Sequence, residues 1–287
     1  MGLVSALANF FSSIYIFLWD TLLAFGNLVL PKRPTALVVP DGHPGFGGKW
    51  PEYVPAKEGD SRCSCPGINA LANHGIIAHD GRNISFVELA QQVQVTYNMA
   101  PTFCIFLSKY MAGFMKKDYS KDAFDLKDLD EHNKIEHDGS LIREDIYFEP
   151  DSAKIAPHLI EKLLDSASGK DADGKPVLTY SDLAKAFSQR QADSKANNPD
   201  FSMTNLLRMF AFGNCAAMAL VFGGKVEDLR PFLLEERIVD GWVPWTKKRY
   251  GITMGAFNVA STKIALRTKT VPPTMVATLP LSTESPK

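Results

Sequence analysis

The chain has 287 residues, 31 Lys and Arg against 32 Asp and Glu, six His, and 45% apolar residues. That length and apolar share suffice for one large domain or two small ones and exclude a disordered tail. A net charge of −1 leaves no sequence-wide basic excess with which to hold a nucleic acid, so small or apolar partners are favoured. Four cysteines are too few for a disulfide scaffold. Cys104 and Cys215 lie in apolar helical stretches, where a free buried thiol is the expectation.

From Leu3 to Leu30 the chain is almost wholly apolar or small, interrupted by Asp20. At about 1.5 Å rise per residue this is long enough to cross a hydrocarbon core. The segment lacks early Lys or Arg and is longer than the apolar centre of a signal peptide. Residues 1–34 are therefore expected to be a membrane anchor, placing the protein on an endomembrane, with secretion after signal cleavage as the alternative. Asp20 is costly in a span, a cost that the surrounding Leu and Phe residues, with Tyr15 and Trp19, offset. An interfacial helix, or one packed on the domain itself, are the other placements. The sequon Asn83-Ile84-Ser85 favours a lumenal or secreted domain.

Residues 31–62 carry six prolines (31, 34, 40, 44, 51 and 55) with Gly42, Gly45, Gly47 and Gly48, which predicts an extended wrapping segment. Helical periodicity then recurs. Phe86 to Tyr97 follows Ser85 with Glu88 three residues on, a capping-box pattern, and Pro101 opens Thr102 to Met115. Further helices are expected at Pro157 to Ser166, Asp182 to Ala192 with Ser181 as cap, Thr204 to Phe222, Val226 to Glu235 with a break at Pro231, and Met254 to Leu266. Phe106, Phe210, Phe212 and Phe222 read as core. Ser168 to Val177 is a turn-rich loop. The expected architecture is one mostly α domain over 35–270, followed by a polar tail at 271–287.

Cys65 precedes Pro66 at a helix start. Proline there presets φ, and the free amides of Gly67 and Ile68 face back towards the sulfur, which favours a thiolate. Three roles compete at this position: a buried structural thiol, a zinc ligand with Cys63 and His74 or His79, and an axial haem ligand. Zinc is disfavoured because no second cysteine pair exists.

The run from Cys65 through Pro66, Gly67, Ile68, Asn69, Ala70, Leu71, Ala72, Asn73, His74 and Gly75, continuing as His79-Asp80-Gly81-Arg82-Asn83-Ile84-Ser85, resembles the haem-binding stretch of the fungal haem-thiolate peroxidases, the chloroperoxidase and unspecific peroxygenase family. A second stretch, Lys134-Ile135-Glu136-His137-Asp138-Gly139-Ser140-Leu141-Ile142-Arg143, resembles that family's Glu-His-Asp motif with a Ser four residues after the Glu, and a softer similarity covers Leu233 to Pro244. The resemblance implies a mostly α, chloroperoxidase-like single domain binding haem b, with Cys65 as axial iron ligand and Pro66, Gly67 and Asn69 about the cofactor. It further implies Glu136 and Ser140, with a haem propionate, as ligands of Mg²⁺ or Mn²⁺, and His137 facing the distal pocket. The implied partners are hydrogen peroxide and a small apolar organic substrate, in a setting such as secondary metabolism.

Two positions depart from the pattern. Ser64 stands where the family usually has the first proline of Pro-Cys-Pro. The distal glutamate expected on the helix Thr204 to Phe222 is missing, since Phe201 to Lys225 contains no acid, and Asn214 best matches its place. An amide cannot shuttle a proton. His137, oriented by Asp138 or Asn214, is then the candidate acid-base group. The alternative is a haem-binding accessory protein with little turnover.

Overall fold

The computed structural model describes residues 3–274, with side chains of the first helix described from residue 11 onward, residue 13 excepted. Among the described residues nine α-helices carry the fold, and the strands form two short antiparallel ribbons. The helices are α1 (Leu3–Val29), α2 (Pro66–Asn73), α3 (Phe86–Tyr97), α4 (Pro101–Phe114), α5 (Pro157–Asp165), α6 (Tyr180–Asn197), α7 (Asn205–Val221), α8 (Val226–Leu234) and α9 (Met254–Ala265). The most extensive pairings are α7 with α9 and α3 with α4, while α2 and α5 both pack on α8. The ribbons pair β1 (Ile84–Ser85) with β2 (Ala123–Phe124) and β3 (Gly169–Lys170) with β4 (Pro176–Val177).

Local chemistry sets the helix starts. Ser85 Oγ accepts from the Glu88 amide at 3.0 Å, and Thr204 and Thr253 cap α7 and α9 in the same way. α6 starts earlier than predicted. Its cap is Thr179 rather than Ser181, because the Asp182 carboxylate reaches back to the Thr179 amide at 2.9 Å and completes a capping box. Nor does Pro231 end α8, which runs through it to Leu234. Residues 31–62 wrap as expected, with only two 3₁₀ turns. Trp50 anchors this wrap by donating its indole N–H to the Trp242 carbonyl at 2.9 Å. Phe222 is core, whereas Phe106 on α4 is exposed.

α1 does not form the expected spanning anchor. Among the described residues no helix is long and apolar enough to cross a membrane. The physical reason lies in the polar residues of α1, which are committed to the domain. Asp20 is buried, accepts from Thr102 Oγ1 at 2.5 Å, and takes the free amides of Met254 and Gly255 at the start of α9. Asn27 donates to the Gly251 carbonyl and accepts from the Tyr250 amide. Asp20 thus serves as a docking group between α1, α4 and α9. Of the expected polar tail, only residues up to 274 fall within the described part. There the Thr274 amide donates to Asp193 on α6 at 2.6 Å.

Candidate active site

Cys65 is the N-cap of α2, with Pro66 at the first helical position. The amides of Ile68 and Gly67 at the helix start and the Arg143 guanidinium all favour its charged form, although the side chain makes no capping hydrogen bond. Burial outweighs all three and pushes the thiol up, the reverse of the sequence expectation. Cys65 nonetheless carries accessible surface. All four cysteines are free, and burial pushes Cys215 up to about 12, so Cys104 and Cys215 are inert core thiols as expected.

A buried polar network grips the loop around Cys65. Asn69 receives the Cys63 amide at 3.0 Å and donates to the Cys63 carbonyl and to Glu236 Oε1 at 2.6 and 2.7 Å. Arg143 donates to the same Glu236 oxygen at 2.6 Å. Asn73 donates to the Glu236 carbonyl and accepts from Arg62. Glu236 itself sits at φ 52, a left-handed conformation that costs a non-glycine residue about 1–2 kcal/mol. The bonds to Asn69, Arg143 and Asn73 hold it there. Three distant sequence stretches thereby meet under one sulfur. At the loop's other edge the Ser64 amide donates to Asp130 Oδ1 at 2.8 Å, a bond that a proline at this position could not make. The turn His79 to Arg82 closes on the loop at Gly81, whose φ of +67 and contact with the Ser61 carbonyl exclude any side chain.

The zinc reading loses its ligands. The Cys63 sulfur is buried against Asn69, His74 lies between the Pro51 carbonyl and the Ile238 amide, and His79 meets the Val54 carbonyl. Asn69 acts on the loop itself and Pro66 sets the helix start, while the Gly67 carbonyl accepts from Tyr97 at 2.7 Å.

The structure brings His137 and Asn214 together. His137 is buried, and its Nδ1 lies 2.8 Å from the Asp138 carbonyl. Because a carbonyl only accepts, Nδ1 carries the hydrogen and Nε2 keeps a lone pair. Asn214 Nδ2, on α7, lies 3.3 Å from that Nε2. Burial lowers the imidazole's affinity for a proton, so the ring is neutral. The Asp138 carboxylate accepts from the Ser202 amide at 2.8 Å and does not orient the ring. Gly139, at φ +68 and hard against Gln191, lets the chain turn between His137 and Ser140. Asp145 fastens that turn to α6, accepting from Gly139 N, Arg190, Ser194 and Asn198.

Glu136 and Ser140 both make local hydrogen bonds. Glu136 Oε2 pairs with His132 Nδ1 at 2.6 Å, and Ser140 Oγ accepts the amides of Ile142 and Arg143. Among the described residues no group of three His, Cys, Asp or Glu side chains is placed to hold a metal.

A haem-thiolate site fits the residues present on two counts. The free thiol of Cys65 is accessible at the start of α2, where the helix amides favour its charged form. The buried polar atoms without partners, Asp138 Oδ1, Arg143 Nε and Gln191 Nε2, all lie on or against the 136–143 segment. Arg143, Asp130, Asp145 and Glu236 were not singled out from the sequence. Arg143 and Glu236 lie inside stretches that carry the family resemblance, but their pairing across 93 residues leaves no local signal.

Comparison with known proteins agrees with this geometry. Residues 51–247 match the family described as "Peroxidase, family 2", and the chain belongs to this family of fungal haem-thiolate peroxidases. It is 26% identical over 215 residues to an aromatic peroxygenase of Cyclocybe aegerita, covering 69% of this chain and 55% of that protein. It is 30% identical over 175 residues to a chloroperoxidase of Leptoxyphium fumago, covering 55% and 45%. A dothistromin biosynthesis peroxidase, dotB, of Dothistroma septosporum is 25% identical over 250 residues, covering 73% and 58%. The chain spans about half the length of the curated relatives it matches.

Proposed function

We propose that the protein is a haem-thiolate peroxidase or peroxygenase that uses hydrogen peroxide to oxidise or oxygenate a small apolar organic molecule. The observation that carries this is Cys65, a free and accessible thiol at the N-cap of α2, where the helix-start amides of Gly67 and Ile68 favour its charged form. Bound there, haem iron would keep the sulfur as thiolate and supply the redox chemistry, thiolate donation favouring O–O cleavage. Asn69, Glu236 and Arg143 fix the loop that presents the sulfur. His137 Nε2 would take a proton from peroxide and return it once the weak Asn214 contact opens and frees its single lone pair, while Nδ1–H stays on the Asp138 carbonyl. Asn214 holds the ring by its Nδ2 and moves no proton.

The Mg²⁺ or Mn²⁺ expected at Glu136 and Ser140 finds little to bind, because the Ser140 oxygen already accepts two amides. No step is routed through that ion. The name of the dotB relative supports a place in a biosynthetic pathway.

A second reading rests on Asn214 standing where an acid is expected: a haem-binding accessory protein with little turnover. The haem-loaded protein separates the two. The ferrous-CO spectrum of a thiolate-ligated haem, lost in Cys65→Ala, with peroxide-dependent oxidation of a phenolic dye, supports the enzyme. The spectrum with turnover only in Asn214→Glu supports the accessory protein, and a Cys65→Ala variant that keeps the spectrum overturns both.

A further inference from the structure

The inner face of α1 is committed to α4 and α9, and its outer face has no counterpart among the described residues. Tyr15, Phe17, Leu18, Leu22, Phe25 and Leu28 are each 59–78% exposed. Between them the polar Thr21 turns its hydroxyl onto the Phe17 carbonyl, so from Ile14 to Leu30 that face carries no charge and its one outward polar group is the Tyr15 phenol. Exposed apolar side chains scattered singly need no explanation, but a continuous strip some four turns long marks a docking surface.

The C-terminal end of this strip is cationic. Lys32 and Arg33 follow α1 directly, and the segment Lys247-Lys248-Arg249 lies beside them, joined by the Arg33 amide on the Lys247 carbonyl at 2.8 Å and Arg33 Nε on the Arg249 carbonyl at 3.0 Å. Among the described residues none of these five cations has a carboxylate partner. Arg33 and Arg249 stand close enough to repel. Beside them Trp245 and Tyr250 are exposed, with the Tyr250 ring packed against Gly26 of α1.

We propose that this face rests on an anionic lipid surface, with α1 lying in the plane of the interface. The apolar strip enters the boundary between headgroups and acyl chains, the cationic end meets phosphate and carboxylate headgroups, and Trp245 and Tyr250 sit at headgroup level. A lipid surface is favoured over a second copy of the chain because the strip carries no acid. Pairing two such faces would leave the cations without counter-charge, whereas anionic headgroups supply it.

Flotation of the purified full chain with vesicles tests this, using phosphatidylcholine alone or mixed with phosphatidylserine. The chain is expected to float with the mixed vesicles and to be released by salt. Leu22→Glu/Phe25→Glu should abolish flotation with unchanged thermal melting, since neither side chain serves the fold. Lys32→Glu/Arg249→Glu should weaken binding roughly tenfold or more and erase the preference for phosphatidylserine. Wild-type chain that stays down with both vesicles overturns the proposal, as does flotation of the Leu22→Glu/Phe25→Glu variant. Sedimentation as a dimer that this variant makes monomeric would assign the face to a second copy instead.

Discussion

The two sides of the candidate site are held very differently. Beneath Cys65, Asn69, Asn73, Arg62, Arg143 and Glu236 are all buried and bonded to one another, so moving the sulfur means breaking several charge-assisted bonds at once. Across the site, His137 Nε2 has one hydrogen-bond partner among the described residues, the Asn214 amide at 3.3 Å, and Asn214 is itself exposed. The firmly held side is the one that matches the family pattern closely, and the loosely held side is where this chain departs from it. An axial ligand needs one fixed geometry, whereas a group that meets peroxide and substrate needs room and a lone pair held only by a weak, reversible contact.

The largest expected effect breaks that contrast at His137. His137→Ala should lower peroxide-dependent kcat/KM by about 10²–10⁴-fold while leaving the haem spectrum intact. Asn214→Ala should cost less than about tenfold, because a 3.3 Å contact is a weak bond. Equal losses would make Asn214 an obligatory partner and erase the asymmetry. The pH profile sharpens the same point. Burial lowers the His137 pKa, so the neutral, proton-accepting ring persists below the ordinary histidine value of about 6.5. Rate should hold steady near neutrality and fall only as pH drops through that lowered value. The acid limb should vanish in His137→Gln, whereas a rate that rises on acidification would assign the proton to another group.

On the cysteine side, Arg143→Ala leaves the buried Glu236 carboxylate without its cation. Loss of one member of a buried pair costs about 3–5 kcal/mol, readable as a lower denaturant midpoint and a loosened haem. The double variant Arg143→Met/Glu236→Gln should recover much of this, since no buried charge remains. If Arg143→Ala melts like wild type, the network is not what fixes the loop.

Much of this contrast was legible in the sequence, for physical reasons that also explain what was not. The Ser85 cap, the Pro101 and Pro157 helix starts and the Cys65-Pro66 turn are set by neighbours a few residues away, and each lies where local chemistry puts it. The approach of His137 and Asn214 across 77 residues was accessible only through the family resemblance. Asp20 was the opposite case. In a linear string an acid within apolar residues reads as an expensive flaw in an anchor, because nothing local announces that it will cap a helix 234 residues away. The same holds for Glu236. Its left-handed backbone and shared oxygen depend on Arg143 and Asn69 arriving from elsewhere.

The smallest effect concerns Ser64, where the family's proline is missing. Asp130 takes the Ser64 amide, and burial raises its carboxyl from 3.8 to about 6. The folded state therefore binds this proton more tightly than the unfolded chain. The stabilisation this group contributes is complete below about 3.8 and is lost as pH rises through about 6, a swing of at most about 2–3 kcal/mol. Asp130→Asn keeps an oxygen for the Ser64 amide and removes the charge. It should raise stability at pH 7 by about 1–2 kcal/mol, with the gap to wild type closing as pH falls towards 4. Destabilisation at pH 7 would mean that the carboxylate's charge, and not merely its oxygen, grips the loop. In that case Ser64 and Asp130 would form an electrostatic clamp in place of the rigidity that a proline ring gives the same turn, and Ser64→Pro, which deletes the amide hydrogen but restores the ring, should rescue the Asp130→Asn variant.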